Sequence, residues 1–569
     1  MSIKSAICLK GKDIMVIIPK PKKAVFTDGF CKVCRDYEGA RGKAELISDA
    51  SLSGEHYKIN ISETAVKISF GTEEGKFRAM TTLSQLCRES GGSVPCCEIE
   101  DYPDIKTRGY MLDISRGKLP KLPELKKLAD MLSDLKYNQL QLYMESPVFS
   151  YKSFPDIVES DHYTSEDIAE LDKYCAERFI ELVPNQNSLG HMEKWLKNEK
   201  LKRLAIDENA EKVTTLNPLD PDSVELMNKI YGDLLPSFSS GLFNIGMDEP
   251  WELGSGKTKE ECEKRGTGTV YTDYLLKIFD LVENKYKKTP MFWADIVFKH
   301  EEQLSRIPKN SVVMEWGYEA DHPFDRHLEA IKKNKLRFYV CPGTSMWQSY
   351  TGRSEVYAAN ILKAAESGAY YGAEGFLLTE WGDCGHPQFP SVTYLPLVLG
   401  GAAAWGAGSH NNEIAAAERA ALLKDCKAYT DKYIYKVTNG VSVSDIVFKM
   451  GKYMFLESEN VFNATLIGTL MRTGEKPDAA MRESMRDVAF YMRELKRRLG
   501  AANADELSLR EIAANADMVI LFADYLSGCD VREAAAELSE EFSELWEIRN
   551  YKNGEEIFGD VLKKLSSGD

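Results

Sequence analysis

Two adjacent carboxylates, Asp248 and Glu249, are the residues of this sequence best suited to catalysis. They follow residues 242–246, an apolar run with the length and composition of a buried β-strand. Acidic residues also favour helix N-termini, so the dipeptide alone indicates little. Its position directly after a strand favours acid–base chemistry, because paired carboxyl groups can transfer a proton and stabilise a developing positive charge.

The run before this pair is one of a series of short apolar runs that alternate with longer amphipathic segments. The segment 166–178 repeats apolar residues at helical spacing, and Thr164 and Asp167 stand as a capping box at its start. Such alternation over about 310 residues predicts a (β/α)8 barrel, which places reactive groups at the carboxyl ends of its strands. The predicted strands are 108–112, 138–143, 180–184, 242–246, 290–295, 311–316, 337–341 and 375–380.

The sequence on either side of the barrel predicts two further domains. Residues 1–100 mix short strand-like runs with one helical pattern, which indicates a small α/β domain. The barrel is assigned to residues 101–410. Residues 411–569 are rich in Ala, Leu, Glu and Arg at helical spacing, and they predict a helical C-terminal domain.

Composition restricts the partners of the chain. A net charge of −16, from 72 basic and 88 acidic residues, disfavours nucleic acid and anionic membranes.

The apolar run 14–18 is too short for a signal peptide, and residues 394–408 are too short and too interrupted to span a membrane. The twelve cysteines are scattered, as free thiols in a reducing compartment would be. We therefore expect a cytoplasmic protein, and a homodimer is compatible with the sequence.

Tryptophans cluster at the level of the paired carboxylates. Trp293, Trp316 and Trp381 lie at or near the ends of the fifth, sixth and eighth predicted strands, and Trp347 follows the seventh. A single tryptophan fills a core as readily as it lines a site. Three at neighbouring strand ends favour a pocket, and indole rings beside acids suit the apolar faces and hydroxyls of a sugar.

Four stretches of the barrel resemble glycoside hydrolase family 20, the β-N-acetylhexosaminidases, and in particular its bacterial and hexosaminidase D type members. Residues 108–116 read Arg-Gly-Tyr-Met-Leu-Asp-Ile-Ser-Arg, similar to the first-strand motif of the family. Residues 184–191 end in Gly-His as the third-strand segment does, and 244–249 stand at the Asp-Glu motif. Residues 379–383 stand at the strand-eight tryptophan motif, and 82–86 resemble the close of the family's small domain.

This resemblance implies a retaining exo-β-N-acetylhexosaminidase that removes terminal GlcNAc or GalNAc with help from the substrate. Glu249 would be the general acid and then the general base. The nucleophile would be the 2-acetamido oxygen of the sugar, which gives an oxazolinium ion. Asp248 would accept the acetamido N–H and stabilise the positive charge. No metal or cofactor is implied.

The same resemblance implies the residues that bind the sugar. Arg108 would hold the 3- and 4-hydroxyls, Asp383 would reach the 4- and 6-hydroxyls, and His191 would support the catalytic pair. The pocket around the acetamido methyl group and the sugar face would be lined by Trp293, Trp316 and Trp381.

The sequence departs from the family pattern in several places. Asn244 replaces the usual His and Met247 replaces the second Gly, so the support of the pair is altered. Glu145 stands where many members carry an Asp. The strand-seven Tyr that binds the acetamido carbonyl has no clear match within 339–347, and Tyr318 is the candidate substitute.

Two other functions compete with this interpretation. A metal-dependent barrel hydrolase is disfavoured, because residues 113–115 after the first strand hold no His-x-His pair and the histidines are dispersed. A carbohydrate-binding barrel without turnover remains the rival from another class, since the changes at Asn244 and Met247 could abolish catalysis while the pocket persists.

Overall fold

The computed structural model describes residues 15–32, 37–91, 94–410 and 412–567. The beginning of the predicted first domain, residues 1–14, lies outside the described residues, as does Cys34. Among the cysteines that the structure describes, Cys96, Cys97, Cys175, Cys262, Cys341, Cys384, Cys426 and Cys529 are free thiols.

The small N-terminal domain is a five-stranded sheet in the order β1-β5-β3-β4-β2, covered by a long helix. That helix, α2, begins after Thr72, whose side chain accepts a hydrogen bond from the amide of Gly75. Alternate residues of β3 and β4 are buried, so one face of the sheet packs on the helix. The elements are β1 (Lys23–Phe30), α1 (Tyr37–Lys43), β2 (Ala44–Ser48), β3 (Tyr57–Ile61), β4 (Val66–Phe70), α2 (Glu73–Ser90) and β5 (Pro95–Asp101).

The centre of the protein is a closed barrel of eight parallel strands, which confirms the predicted fold. Each predicted strand is present within a few residues of its expected bounds. The fourth is shorter than predicted, because the chain leaves the sheet at Asn244 with positive φ angles soon after. The strands are β6 (Thr107–Asp113), β7 (Gln139–Met144), β8 (Glu181–Gln186), β9 (Leu242–Asn244), β10 (Thr289–Trp293), β11 (Val312–Trp316), β12 (Arg337–Cys341) and β13 (Gly375–Glu380).

Helices surround the barrel and connect its strands. The predicted capping box at Thr164 and Asp167 is present at the start of α4. The apolar segment predicted to pack on the barrel forms the buried helix α12. The helices of this layer are α3 (Leu122–Asp134), α4 (Ser165–Ala176), α5 (Glu193–Leu196), α6 (Pro221–Leu234), α7 (Lys259–Arg265), α8 (Thr267–Asp280), α9 (Asp295–Lys299), α10 (Phe324–Lys333), α11 (Ser354–Tyr371) and α12 (Tyr394–Trp405).

The C-terminal region is helical, as predicted. Its long helices α16 and α17 bury Ala, Val, Leu, Met and Phe side chains against each other and against the barrel loops. Among the helices of the described residues, none has both the length and the hydropathy needed to cross a bilayer. The helices are α13 (Asn412–Tyr429), α14 (Val443–Met450), α15 (Leu466–Thr473), α16 (Ala479–Leu499), α17 (Glu506–Ser527), α18 (Arg532–Arg549) and α19 (Asn553–Ser567).

A buried ion cluster joins the small domain to the amino-terminal end of the barrel. Glu55, just before β3, lies 2.6 Å from Nε of Arg78 on α2 and 2.6 Å from Nη2 of Arg108 on β6. Arg108 also donates to the carbonyl oxygens of Ile105 and Lys136, and it is fully buried. The two guanidinium groups outweigh burial and lower the pKa of Glu55.

This cluster corrects the expectation that Arg108 binds sugar hydroxyls. Arg108 is the second residue of β6, so it lies at the end of the barrel opposite the carboxyl ends of the strands. Its donors are used by Glu55 and by main-chain carbonyls. Its role is to hold the two domains together.

Replacing Glu55 with Gln should lower the stability of the folded protein, because it leaves two buried guanidinium groups without their counter-charge. The expected cost is about 3–5 kcal/mol, seen as a fall of several degrees in the melting temperature by circular dichroism. Glu45→Gln is the matched control, since the Lys67–Glu45 pair is half exposed and should contribute under ~1 kcal/mol. Equal melting temperatures for the two variants would contradict this role of the cluster.

Candidate active site

Asp248 and Glu249 lie at the carboxyl end of β9, in a segment with an unusual backbone. Gly246, Met247 and Glu249 have φ angles of 69°, 82° and 47°. The neighbouring loop after β8 comes so close that a Cβ on Gly190 would lie 2.3 Å from the carbonyl oxygen of Asp248. This backbone turns both carboxylates toward the mouth of the barrel instead of continuing the alternation of a strand.

Each carboxylate of the pair contacts His191. Nε2 of His191 lies 3.4 Å from Oδ2 of Asp248 and 3.4 Å from Oε2 of Glu249. Asn187 donates from Nδ2 to Oδ1 of Asp248 at 2.7 Å, and its own oxygen accepts from the amide of Met247. Asp248 is buried, whereas the side chain of Glu249 is 30% exposed. Asp248 is thus held on both oxygens and Glu249 remains open to a ligand.

These contacts favour a negative charge on Asp248 and a positive charge on His191. Burial raises the pKa of Asp248, but the His191 imidazole and the hydrogen bond from Asn187 outweigh it and hold that pKa below its usual value. Burial lowers the pKa of His191, but Asp248 and Glu249 outweigh it and raise that pKa well above the ordinary histidine value. An aspartate and an imidazolium therefore stand side by side near neutral pH.

A third carboxyl group, Asp295, stands behind the pair and was not expected from the sequence. It follows β10, and its Oδ2 accepts a hydrogen bond from the amide of Glu249 at 3.3 Å. Its Oδ1 is buried without a partner among the described residues. Burial, together with the charges of Asp248 and Glu249, raises the pKa of Asp295 to about 7. Asp295 holds the backbone of Glu249 in its left-handed conformation.

The arginine at the mouth of the barrel is Arg116, not Arg108. Its Nη1 lies 3.0 Å from Asp113 and 2.9 Å from Asp383, and its Nη2 lies 2.7 Å from Glu145. The same Nη2 is 3.3 Å from Nδ1 of His191, and Glu145 lies between these two cations. Burial lowers the pKa of Arg116, but the surrounding acids raise it well above its usual value.

Asp383 and Glu145 both lie at this mouth, where each contacts Arg116. Burial raises the pKa of Asp383 to about 6, and nearby Asp113 and Glu249 contribute to the rise while Arg116 opposes it. Glu145 accepts from the hydroxyl of Tyr143 at 2.9 Å as well as from Arg116. Carboxylates and a guanidinium group that are held in this way can exchange bidentate hydrogen bonds with the hydroxyls of a sugar.

The predicted tryptophans lie together in one aromatic wall inside the barrel. The ring centroids of Trp293 and Trp381 are 5.5 Å apart, and Tyr143 meets Trp381 edge-on at 4.7 Å. The Nε1 atoms of Trp293 and Trp316 are buried and have no hydrogen-bond partner among the described residues. The wall thus combines apolar faces with two free donors, as a sugar site requires.

Tyr318 lies within this wall. Its ring stacks on Trp316 at 5.2 Å, and its hydroxyl accepts from Nε1 of Trp381 at 2.6 Å. Tyr339, the tyrosine of β12, instead points into the barrel, where its hydroxyl accepts from Gln139. Of these two tyrosines, Tyr318 is therefore the one near the pocket.

Helices of the C-terminal region complete the mouth. A cavity of about 260 Å³ lies beside Arg116 and Asp383 and is closed on its other side by Arg472 of α15 and Phe558 of α19. The C-terminal region therefore borders the mouth of the barrel beside Arg116 and Asp383.

Three residues of the site were missed in the sequence, and each carried a signal. Arg116 ends the same nine-residue motif that begins with Arg108. Of these two arginines, Arg116 is the one that lies beyond the carboxyl end of β6. Asn187 and Asp295 each follow a barrel strand directly or within two residues. Position at the carboxyl end of a barrel strand is the signal in the sequence that would have identified all three residues.

Comparison with known proteins gives the family. The family model described as Glycosyl hydrolase family 20, catalytic domain, matches residues 106–361, and the model of domain 2 of that family matches residues 32–102. These matches cover the barrel from β6 into α11 and the small domain from α1 to β5. The chain belongs to glycosyl hydrolase family 20.

Curated relatives and solved structures agree with this assignment. A beta-hexosaminidase of Akkermansia muciniphila is 27% identical over 325 residues, 49% of this chain and 62% of that protein. Beta-hexosaminidase A of Caenorhabditis briggsae is 26% identical over 395 residues, 64% of this chain and 68% of that protein. The chain thus matches about half to two thirds of the length of such relatives.

Two solved structures show the same fold. A beta-N-acetylhexosaminidase from Bacteroides fragilis superposes with a TM-score of 0.58 at 19% identity and covers 74% of this chain and 96% of its own. A chitobiase from Flavobacterium johnsoniae superposes with a TM-score of 0.59 at 16% identity and covers 96% of this chain and 99% of its own. The second includes the helical C-terminal region.

Asp248→Asn should lower the pKa of His191 by at least ~1 unit, because it removes the charge that most favours the imidazolium. The ring-nitrogen chemical shifts of ¹⁵N-histidine-labelled protein, followed from pH 5 to 9, measure this directly. His191 should stay protonated through neutral pH in the parent and titrate lower in the variant. His410, which pairs with the distant Asp325, is the internal control. Identical titration of His191 in both proteins would refute the assigned charges.

Proposed function

We propose that the protein is a retaining exo-β-N-acetylhexosaminidase that removes terminal β-linked GlcNAc or GalNAc by substrate-assisted catalysis. Family membership and relatives named as beta-hexosaminidases support the reaction class. No metal or cofactor takes part in the chemistry. A cytoplasmic location, a homodimer and the domain boundaries 1–100, 101–410 and 411–569 stay predictions from the sequence.

The observation that carries the proposal is that Asp248 and Glu249 contact the same nitrogen of His191. A retaining enzyme with its own nucleophile needs two carboxyl groups on opposite faces of the anomeric carbon, ~5 Å apart. Asp248 and Glu249 are consecutive residues on one wall of the barrel mouth, so they are expected to approach a bound sugar from the same side. This arrangement favours a nucleophile supplied by the substrate, whose 2-acetamido group is adjacent to C1.

In the first step, Glu249 donates its proton to the glycosidic oxygen while the acetamido oxygen attacks C1. The bond from C1 to the leaving oxygen breaks, a bond from C1 to the acetamido oxygen forms, and an oxazolinium ion results. Asp248 accepts the acetamido N–H and stabilises the positive charge, which suits its lowered pKa. We assign to Tyr318 the role of positioning the acetamido group.

In the second step, water attacks C1 from the face that the leaving group has vacated. Glu249, now ionised, accepts a proton from that water, and the bond from C1 to the acetamido oxygen breaks. Two inversions at C1 give a product of retained β configuration. The exposed side chain of Glu249 can reach both the leaving oxygen and the water.

The ring hydroxyls of the terminal sugar are assigned to Arg116, Glu145 and Asp383. These side chains close the mouth of the barrel next to the catalytic pair. A sugar whose 3-, 4- and 6-hydroxyls are gripped there carries no further residue at those positions, which gives an exo mode of attack.

A carbohydrate-binding barrel without turnover is the alternative. The intact contacts among Asn187, His191, Asp248 and Glu249 favour an enzyme, because binding alone does not require a charged imidazole between two carboxylates. Release of a chromogenic leaving group from its β-N-acetylglucosaminide decides between the two.

Glu249→Gln should lower kcat by at least ~100-fold for β-N-acetylglucosaminides with poor leaving groups, because the amide cannot donate the acidic proton. The loss should be much smaller for an activated aryl leaving group, which needs little protonation. Steady-state kinetics with alkyl and nitrophenyl glycosides measure the difference. Glu252→Gln, a nearby acid that bonds Thr214 and Thr215, is the control for a lost charge. Activity of Glu249→Gln within a few fold of the parent on every substrate would overturn the assignment.

A matched nitrophenyl β-glucoside, with a hydroxyl in place of the acetamide, should be essentially inert because it lacks the nucleophile. A thiazoline that mimics the oxazolinium ion should inhibit the parent strongly, and Asp248→Asn should weaken that inhibition together with kcat. Proton NMR of early product should show the β anomer. An α anomer, or a glycosyl group trapped covalently on Asp248 or Glu249, would disprove the mechanism while leaving the substrate class intact.

A further inference from the structure

A carboxylate and two imidazoles converge on the outer side of the barrel wall, away from the proposed sugar pocket. Glu315 is on β11 between Met314 and Trp316, which belong to the inner face, so its side chain points toward the surrounding helices. Its Oε1 lies 2.8 Å from Nε2 of His322 and 2.6 Å from Nδ1 of His327. His327 is on α10, and His322 is in the segment before it.

The donor atoms of these three side chains are close enough together to bind one metal ion. Their donor atoms all lie within 4.8 Å of one another. Ligands of tetrahedral zinc, at ~2.0–2.1 Å from the ion, are about 3.3 Å apart, so each ring would shift by under ~1 Å to admit an ion. Two histidines and one carboxylate form a common zinc ligand set, and the fourth position is then left to water.

The charge of Glu315 also favours a cation. Its side chain is 2% exposed, and within the part of the chain that the structure describes its ion pairs are with these two histidines alone. A buried carboxylate needs a compensating positive charge. A divalent ion would supply it and leave both imidazoles neutral. The two histidine side chains are 16% and 18% exposed, so an ion can enter from solvent.

The surroundings hold the three ligands in place. A Cβ on Gly317 would lie 2.0 Å from Nδ1 of His322, so only a glycine there lets the ring lie against the chain. Phe298 stacks on the His327 ring at 4.3 Å between centroids. Lys363 of α11 donates to the carbonyl oxygen of His322, so the backbone at this residue is fixed as well.

We propose that Glu315, His322 and His327 form a binding site for one divalent transition-metal ion of the zinc class. The ion fastens α10 and the segment before it to β11. Trp316 and Tyr318, which follow Glu315 in the chain, line the opposite side of the wall. The metal is therefore structural and stabilises the sugar pocket from outside, and it takes no part in the hydrolysis.

The test uses the full chain, without an affinity tag, after treatment with EDTA and removal of the chelator. Titration with ZnCl₂ by calorimetry should show one ion per chain with a Kd of about 1 µM or tighter. Saturating Zn²⁺ should raise the melting temperature by ~2 °C or more, because the ion binds the folded state. His322→Gln and His327→Gln should each abolish both effects, and His300→Gln, a partly exposed histidine elsewhere, should leave both unchanged.

Absence of stoichiometric Zn²⁺ binding by the parent, or binding that survives in both glutamine variants, would overturn the proposal. If a variant fails to fold, X-ray absorption of the Zn²⁺-loaded parent decides alone. Two imidazoles and a carboxylate around the ion support the site, and any other protein ligand set refutes it. Because these readouts do not involve glycoside hydrolysis, the outcome is independent of the proposed enzymatic function.

Discussion

The site depends on the balance between two cations and the acids around them at the mouth of the barrel. Arg116 forms ion pairs with Asp113, Glu145 and Asp383, and the His191 imidazolium pairs with Asp248. Without these cations, so many carboxyl groups within one buried pocket would take up protons, because like charges and burial both disfavour ionisation. The His191 imidazole and the hydrogen bond from Asn187 together keep the pKa of Asp248 low, while burial and the charges of Asp248 and Glu249 raise the pKa of Asp295 to about 7.

The backbone makes that balance possible. Consecutive residues of a strand point to opposite faces, so two neighbouring carboxylates could not both reach one imidazole from a regular strand. The positive φ angles at Met247 and Glu249 remove this alternation. Gly190, in the loop after β8, lets that loop approach closely enough to bring His191 between the two carboxylates. Strain of this kind persists where surrounding contacts fix it, and here the amides of Met247 and Glu249 donate hydrogen bonds to Asn187 and Asp295 that supply those contacts.

The sequence predicted the eight barrel strands and the helical C-terminal region, because both follow from local apolar periodicity. It also brought Asp248, Glu249 and the tryptophans to one end of the barrel, since strand ends share an edge. The choice of Arg108 failed for a different reason. Both arginines of the motif suit a sugar, and the buried partner Glu55 that occupies Arg108 lies 53 residues away in another domain. Contacts between distant segments, such as Asn187 with Asp248, leave no periodic signal in the sequence.

The two departures from the family pattern do not remove the support of the catalytic pair. Asn244 donates to Gln141 inside the barrel and accepts the amide of Gly246, so it fixes the end of β9 with its own side chain. Met247 is fully buried, and its carbonyl oxygen accepts from the hydroxyl of Tyr271. Neither residue contributes a charge to the pocket, and the charged contacts of Asp248 come from His191. The proposed catalytic role of this pair is therefore compatible with an amide at position 244 and a buried thioether side chain at position 247, because contacts of their own fix both residues.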